Sequence, residues 1–159
     1  MQIWVTGAHR ARRPIPENRD LTVGADVLLD TNILIYAAQG AKAEPEKRGR
    51  ARQIVVEENY ATSAQILAEF YANVVKKGLR PLDPERAAHW VRVLAKKPCQ
   101  AVDSALVRAG IEIAQRYRIS YWDGAVIAAA ERLGCKTLYS EDLNHGQIYG
   151  SVKVINPFL

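Results

Sequence analysis

A short apolar strand that ends on a carboxylate constrains the fold of this chain more than any other feature. Residues 27–29, Val-Leu-Leu, are typical of a buried β-strand, and Asp30 follows them directly. An unpaired charge in a protein interior is costly, so Asp30 needs partners or a role. The next segment predicts a helix over residues 31–38, and Asp30 could simply be its N-cap. In open α/β sheets, however, functional groups collect at the carboxyl ends of strands, where Asp30 lies.

Strand and helix signals alternate along the rest of the chain. Strands are predicted at 27–29, 60–62, 136–139 and 152–155, and helices at 31–38, at 50–58, from Ser63 to about Lys77, from Asp83 onwards, from Asp103 to about Tyr117 and from Ser120 to Gly134. The apolar side of the last helix is predicted to include Trp122. Residues 40–49 are polar, with Gly and Pro, and are predicted to be a loop. This alternation predicts an α/β fold in which helices cover both faces of a parallel sheet.

The composition is that of one ordinary globular domain. A chain of 159 residues, 48% hydrophobic and 25% charged, is long enough to bury a core. It has no apolar run of about 18 residues that would predict a transmembrane helix, and its N-terminal sequence lacks the apolar core of a secretion signal. Cys99 and Cys135 follow no metal or redox spacing. We therefore expect a cytoplasmic protein without membrane attachment, and the net charge of +5 favours polyanionic partners such as nucleic acid.

The N-terminal part differs from the rest of the chain. Three arginines lie between residues 10 and 13, and two prolines that interrupt regular structure follow them. Residues 1–24 are therefore predicted to be a basic extension, with one short strand at residues 3–5. Residues 25–159 are predicted to form the domain.

Two acids on predicted helices are candidates for a functional site, and each has a structural alternative. Glu69 lies beside the apolar stripe of its helix and could be a solvent-exposed residue. The residues three and four positions later are Ala72 and Asn73, which lack the charge that usually pairs with an exposed Glu. Asp123 follows Ser120 at the spacing of a capping box, and could serve only as part of that cap. A carboxylate in the first turn of a helix is also held ionised by the helix dipole, which suits a metal ligand.

A fourth acid, Asp142, follows the strand predicted at 136–139. An Asx turn is its structural alternative, and the adjacent Glu141 is expected to face solvent. In a parallel sheet Asp30 and Asp142 follow strands at the same edge, so the acids are predicted to converge there. Carboxylates that converge without a basic residue repel one another unless a cation lies among them. Hard oxygen ligands favour Mg²⁺ or Mn²⁺, which can activate water and polarise a phosphoryl oxygen for phosphodiester hydrolysis.

Four segments of the chain occur in a characteristic order. They are VLLDTN from Val27, AEF around Glu69, SYWDGAVIAAA from Ser120 and TLYSEDLNHGQ from Thr137. Together they resemble the PIN domain family, and most of all its VapC-type toxin ribonucleases of type II toxin-antitoxin systems. The resemblance extends over about residues 26–156, which is nearly the whole predicted domain.

The resemblance implies a PIN-like α/β/α sandwich with a mostly parallel central sheet. It also implies Mg²⁺- or Mn²⁺-dependent endonuclease action on RNA, a cognate antitoxin protein as partner, and a homodimer. The catalytic and metal-binding positions of the family fall on Asp30, Glu69, Asp123 and Asp142. Groups that would orient ligands or water fall on Thr31, Asn32 and Ser140.

Two other features of the sequence follow from this comparison with the family. Gly124 stands where the family commonly has Ala, and is expected to weaken its helix by about 1 kcal/mol. Lys76, Lys77 and Arg80, near the end of the Glu69 helix, are expected to contact the RNA backbone. A solvated helix end, favoured by the helix dipole, is the alternative interpretation of these three basic residues.

Other function classes fit the sequence less well. A phosphatase with a strand-end Asp nucleophile commonly needs a second acid two residues later, where this chain has Asn32. A non-catalytic RNA- or protein-binding module would tolerate loss of the acids, and all four are present. The sequence has no P-loop or dinucleotide-binding fingerprint, which disfavours nucleotide-dependent enzymes.

Overall fold

A mostly parallel sheet lies at the centre of the chain in a computed structural model, which describes residues 24–39, 44–76 and 81–159. Its strands are β1 (Val27–Leu29), β2 (Tyr60–Ser63), β3 (Cys99–Gln100), β4 (Thr137–Tyr139), β5 (Ile148–Tyr149) and β6 (Val152–Ile155). The helices are α1 (Thr31–Ala38), α2 (Pro45–Glu57), α3 (Ala64–Val74), α4 (Pro84–Leu94), α5 (Ser104–Tyr117) and α6 (Tyr121–Arg132). Within the described residues, no helix is long and apolar enough to cross a membrane.

The strand order places β1 in the middle of the sheet. The order is β3-β2-β1-β4-β6-β5, and every neighbouring pair is parallel except β5 with β6. Leu28 pairs with Ala61 on one side and with Leu138 on the other. All three residues of β1 are buried, as expected for a central strand covered on both faces. The predicted α/β class and mostly parallel sheet are therefore confirmed.

Side-chain caps fix where several helices begin. The Ser63 hydroxyl accepts a bond from the Ile66 N–H at the start of α3, and the carboxylates of Asp83 and Asp103 cap α4 and α5 in the same way. Each cap satisfies a backbone donor that the first helical turn leaves free. The predicted starts of these three helices are confirmed.

Two predicted boundaries were wrong. Residues 45–49 belong to α2, although residues 40–49 were predicted to be a loop. Pro45 lies at the first helical position and Glu46 in the first turn, and both favour a helix start at this end of the polar segment. Helix α3 ends at Val74, before the predicted end near Lys77.

Some expectations fall outside the residues that the structure describes. They concern the strand at residues 3–5, the extension except for Gly24, residues 40–43, and residues 77–80 with their two basic side chains. Strands β3 and β5 were not predicted, because two residues are too few for a periodic pattern.

Helices α5 and α6 pack together through two glycines. A Cβ atom on Gly124 would lie 2.4 Å from the Gly110 carbonyl oxygen and 3.0 Å from the Ala114 nitrogen, and a Cβ on Gly110 would lie 2.9 Å from the Ala125 Cα. The backbones therefore approach so closely that neither position has room for a side chain. Gly124 was expected only to weaken α6, but the structure shows that it also permits this packing.

Trp122 was predicted on the apolar side of α6, and this prediction was wrong. Residues 124–130 of the helix are all buried, whereas Trp122 in the first turn is 60% exposed. The buried stretch begins two residues after Trp122, at Gly124. The apolar side predicted from helical periodicity therefore began too early in the helix.

Candidate active site at the carboxyl edge of the sheet

The pairing of β1 with β4 brings Asp30 beside Ser140. The backbone N–H of Asp30 donates to the Tyr139 carbonyl (3.0 Å), which continues the strand ladder by one bond. The buried Ser140 hydroxyl donates to Asp30 Oδ2 (2.7 Å). Only 9% of Asp30 is exposed. A carboxylate at this strand end is therefore held from two neighbouring strands.

Asp30 is also the N-cap of α1, which was the structural alternative to a functional role. Its Oδ1 accepts a bond from the Thr31 N–H at 2.7 Å. The Thr31 hydroxyl in turn donates to Glu69 Oε2 on α3 at 3.4 Å. Asp30 and Glu69, which lies on a separate helix, are thus joined through Thr31, which contributes its backbone N–H to one acid and its hydroxyl to the other.

Asn32 joins Asp30 to Asp142. Its Nδ2 donates to Asp142 Oδ2 at 3.0 Å and lies 3.4 Å from Asp30 Oδ2. The backbone N–H of Asp142 donates to the Ser140 hydroxyl at 3.2 Å. Three of the four predicted acids, Asp30, Glu69 and Asp142, therefore share one hydrogen-bonded network.

Asp123 belongs to the same region but has no direct bond to the other acids. Its N–H donates to the Ser120 hydroxyl (3.1 Å), which confirms the Ser120 cap, but its Oδ2 accepts from that same hydroxyl (2.7 Å) and not from the Ser120 backbone N–H that a full capping box would use. Gln65 provides the link, because its Nε2 donates to Glu69 Oε1 (2.9 Å) and lies 3.5 Å from the Trp122 carbonyl oxygen. Gln65 was not predicted to be part of the site, although its position four residues before Glu69 on one helix favours such a bond.

Burial and like charges shape the acidity of Asp30. Burial raises its pKa from 3.8 to about 6, against the opposing effect of the bonds from Ser140 and Thr31. The negative charges of Asp142 and Glu69 raise it further. Within the described part of the chain, no Lys or Arg forms an ion pair with any of the four acids. Among the residues that the structure describes, no cation of the protein therefore balances this acidic network.

The donor chemistry of this network fits a hard divalent cation. All candidate ligands are oxygen atoms, and Asn32 Oδ1 is a buried acceptor without a hydrogen-bond partner. As the described side chains stand, no three His, Cys, Asp or Glu residues lie close enough together to hold a metal ion. Binding by the four acids together would require their side chains to turn towards a common centre.

Glu141 was expected to face solvent, and this expectation was wrong. Its two oxygens accept bonds from the Tyr36 hydroxyl (2.6 Å) and from Lys47 Nζ (2.9 Å). Burial, together with the bond to Glu141, raises the pKa of Tyr36 to about 12. Lys47 lies on α2 in the segment predicted as a loop, so no sequence pattern paired it with Glu141. These contacts hold the residue next to Asp142 against α1 and α2.

Comparisons with known proteins agree with this architecture. A family model described as PIN domain matches residues 27–150. No curated protein sequence matches the chain.

Solved structures with a similar fold come from several bacteria. VapC20 of Mycobacterium tuberculosis, described as a sarcin-ricin loop cleaving toxin, has a TM-score of 0.59 at 16% identity, with 72% of this chain and 88% of that chain covered. A toxin-antitoxin complex from Klebsiella pneumoniae has a TM-score of 0.60 at 19% identity, with 82% and 97% covered. DNA-bound VapBC from Salmonella typhimurium has a TM-score of 0.57 at 19% identity, with 82% and 96% covered. At these identities the likeness establishes a common fold.

Proposed function

The chain belongs to the PIN domain family, and from this premise we propose that it is a divalent-metal-dependent endoribonuclease, the toxin of a VapBC-like toxin-antitoxin module. The observation that carries the proposal is the acidic network in which Asp30, Glu69 and Asp142 share bonds through Thr31, Asn32 and Ser140. Among the described residues no cation pairs with this network, and a bound divalent metal ion would balance its charge. Such an ion would also supply the water activation and phosphoryl polarisation that promote phosphodiester hydrolysis.

In this proposal Asp30, Glu69, Asp123 and Asp142 hold one or two Mg²⁺ ions, directly or through water, and Mn²⁺ is a possible substitute. When bound, such an ion would polarise a phosphoryl oxygen and lower the pKa of a coordinated water. The chain's own contribution is to fix the ligands: Ser140 and the Thr31 N–H orient the carboxylate of Asp30, and Asn32 orients Asp142. The two acids differ in burial, since Asp30 is buried and Asp142 is exposed.

RNA is the proposed substrate, and an antitoxin is the proposed partner. The net charge of +5 favours a polyanion, and the exposed Lys76 after α3 is a candidate phosphate contact. VapC20 is described as a sarcin-ricin loop cleaving toxin, and the Klebsiella structure as a toxin-antitoxin complex. By extension we propose a cognate antitoxin, a homodimer and action in the cytoplasm for this chain.

A candidate binding surface for the antitoxin lies on α3, the helix that also carries Glu69. An apolar groove of about 590 Å³ runs between α3 and α4, with Leu67, Tyr71 and Val91 among its lining residues. An apolar helix of a partner would fit such a groove, and a basic side chain from the same partner could then occupy the acidic network.

The first experiment asks whether cleavage needs the acids and a metal ion. Purified protein is incubated with single-stranded or loop-containing RNA in Mg²⁺ or Mn²⁺, with and without EDTA. We expect cleavage that EDTA stops, and loss of at least about 100-fold in Asp30→Asn and Asp142→Asn, since metal activation of water supplies much of the rate in such enzymes.

Asp26→Asn is the matched control, because Asp26 is exposed and lies just before the amino end of β1, away from the network. It should cleave like the parent protein. Cleavage that survives chelation would contradict the metal requirement. Intact, folded protein that binds RNA and never cleaves it would favour the alternative, a non-catalytic RNA- or protein-binding PIN-like module.

A further inference from the structure

We propose that Trp122 is a stacking platform for an unpaired base of the RNA substrate, beside the acidic site; this rests on the proposed ribonuclease function. Trp122 is 60% exposed, although the rest of α6 beyond its first turn is largely buried. Single-stranded RNA is commonly held by aromatic side chains on which splayed bases stack. The proposal therefore predicts a substrate with an unstacked nucleotide close to the cleaved bond.

The position of Trp122 relative to the acids supports this role. It directly precedes Asp123, and Gln65 lies between its carbonyl oxygen (3.5 Å) and the Glu69 carboxylate (2.9 Å). The indole is thus carried by a helical turn that is tied to two of the proposed ligands. A base stacked on it would belong to a nucleotide near the phosphate at the acidic network.

The ring of Trp122 also packs against an aromatic neighbour within the protein. Tyr121 packs against it edge to face, with ring centroids 5.4 Å apart and an interplanar angle of 66°. The start of the helix beneath it is fixed by the Ser120 hydroxyl, which accepts from the Asp123 N–H and donates to the Asp123 carboxylate. A side chain that is already ordered loses little conformational entropy when a ligand binds.

Its surroundings favour a base over a protein partner. Apolar surfaces that bind proteins are usually contiguous patches. Apart from Tyr121, the neighbours of Trp122 are the polar residues Ser120, Asp123 and Gln65, whereas the groove between α3 and α4 is almost entirely apolar. A pair of aromatic rings among polar groups suits a nucleotide, which presents a flat base next to a charged backbone.

The test combines Trp122 variants with RNA substrates that lack a single base. Cleavage is measured on RNA oligonucleotides in which one nucleotide at a time near the cleaved bond is abasic. At one position, loss of the base should lower kcat/KM of the parent protein by about 5- to 100-fold, the usual range for one stacked base. Trp122→Ala should lose a similar factor on intact RNA and nothing more on that abasic RNA, and Trp122→Phe should recover most of the loss.

A binding measurement tests the same contact without cleavage. Oligouridylate should quench the tryptophan fluorescence of the parent protein, and most of the quenching should disappear in Trp122→Phe. Trp90→Phe is the matched control, since Trp90 is half-buried beside Phe70 and should leave the quenching intact.

The outcomes separate this inference from the proposed function. Fluorescence quenching that depends on Trp122, without any cleavage, would refute the proposed ribonuclease function but support stacking of RNA bases on Trp122. Cleavage with unchanged quenching in Trp122→Phe, or with independent effects of Trp122→Ala and the abasic site, would refute the platform and keep the nuclease. Normal RNA binding and cleavage by Trp122→Ala, combined with weaker antitoxin binding, would overturn the proposal in favour of a protein contact.

Discussion

Asp30 shows how one residue can satisfy both of the interpretations that its sequence position allows. It caps α1 through the Thr31 N–H and also joins the acidic network through Ser140 and Asn32. Its two carboxylate oxygens divide these tasks, Oδ1 to the cap and Oδ2 to the network. The cap holds the carboxylate at the sheet edge, so the structural role positions the group that the proposed function needs.

The buried charge of Asp30 makes the stability of the metal-free protein depend on pH. The pKa of Asp30 is raised to about 6 in the folded state from 3.8, so the native state binds this proton more tightly than the unfolded chain does. The stability that protonated Asp30 contributes to the folded state is fully present below about pH 4 and is lost as the pH rises through about 6. A shift of this size corresponds to roughly 3 kcal/mol.

Asp30→Asn removes that penalty. In EDTA, its free energy of unfolding by urea should exceed that of the parent protein above pH 6 by up to roughly 3 kcal/mol, and the difference should shrink towards pH 4. Asp26→Asn, at an exposed position, should follow the parent profile. A variant that is clearly less stable than the parent protein at pH 7 would show that the cap and network bonds of the carboxylate outweigh its burial cost.

The sequence predicted the acids of the candidate site better than their contacts. Asp30 stood out because a buried strand ended on it, and Asp142 because it followed a second strand of the same parallel sheet. The bridges through Gln65 and Asn32 depend on how helices α1, α3 and α6 lie relative to one another, which no local pattern encodes. The pairing of Glu141 with Lys47 was missed for the same reason.

At the scale of elements, the close contact between α5 and α6 changes the expected effect of Gly124 on stability. Helix propensity alone predicts that Ala at position 124 stabilises α6 by about 1 kcal/mol. The structure predicts the opposite, because the added Cβ would meet the Gly110 carbonyl oxygen at 2.4 Å. Relief would require the two helices to move apart, and such overpacking typically costs about 1–3 kcal/mol.

Gly124→Ala is therefore expected to lower the free energy of unfolding by about 1–3 kcal/mol in urea denaturation. Gly49→Ala is the matched control, since Gly49 lies inside α2 and a Cβ atom there would meet nothing within 4 Å, so it should gain about 0.5–1 kcal/mol. Equal gains in both variants would show that the close approach of α5 and α6 does not constrain position 124.

The elements that the sequence predicted are those with strong local signals. Helices with Ser or Asp caps were placed correctly at their starts, and β1 was placed to the residue, because caps and apolar runs are short-range features. The polar α2 was shortened to 50–58, since Gly and Pro masked a start at Pro45. The end of α3 and the exposure of Trp122 depend on tertiary packing, which the periodicity of a single helix does not report.

For the whole molecule, the matched family region and the described sheet both begin at residue 27. We propose residues 25–159 as the functional domain and expect a chain lacking residues 1–24 to fold and cleave RNA. Gly24 contributes one exposed bond, from Asn59 Nδ2 to its carbonyl oxygen, so its loss should cost little stability. Thermal melting within a few degrees of the full chain, with equal kcat/KM, is expected. An insoluble or inactive truncation would show that the first 24 residues belong to the domain.

The toxin proposal also predicts an effect in living cells, which is arrest of their growth. An unopposed ribonuclease would degrade RNA needed for growth, so expression of residues 1–159 alone should arrest growth, and Asp30→Asn should relieve the arrest at equal protein level. An antitoxin encoded nearby should restore growth by covering the acidic network, through a basic side chain and an apolar helix in the α3–α4 groove. Tyr71→Asp, at an exposed position in that groove, should weaken the rescue, while Val56→Asp, at an exposed position on α2, should not. Growth that continues despite measurable RNA cleavage would instead indicate a housekeeping nuclease.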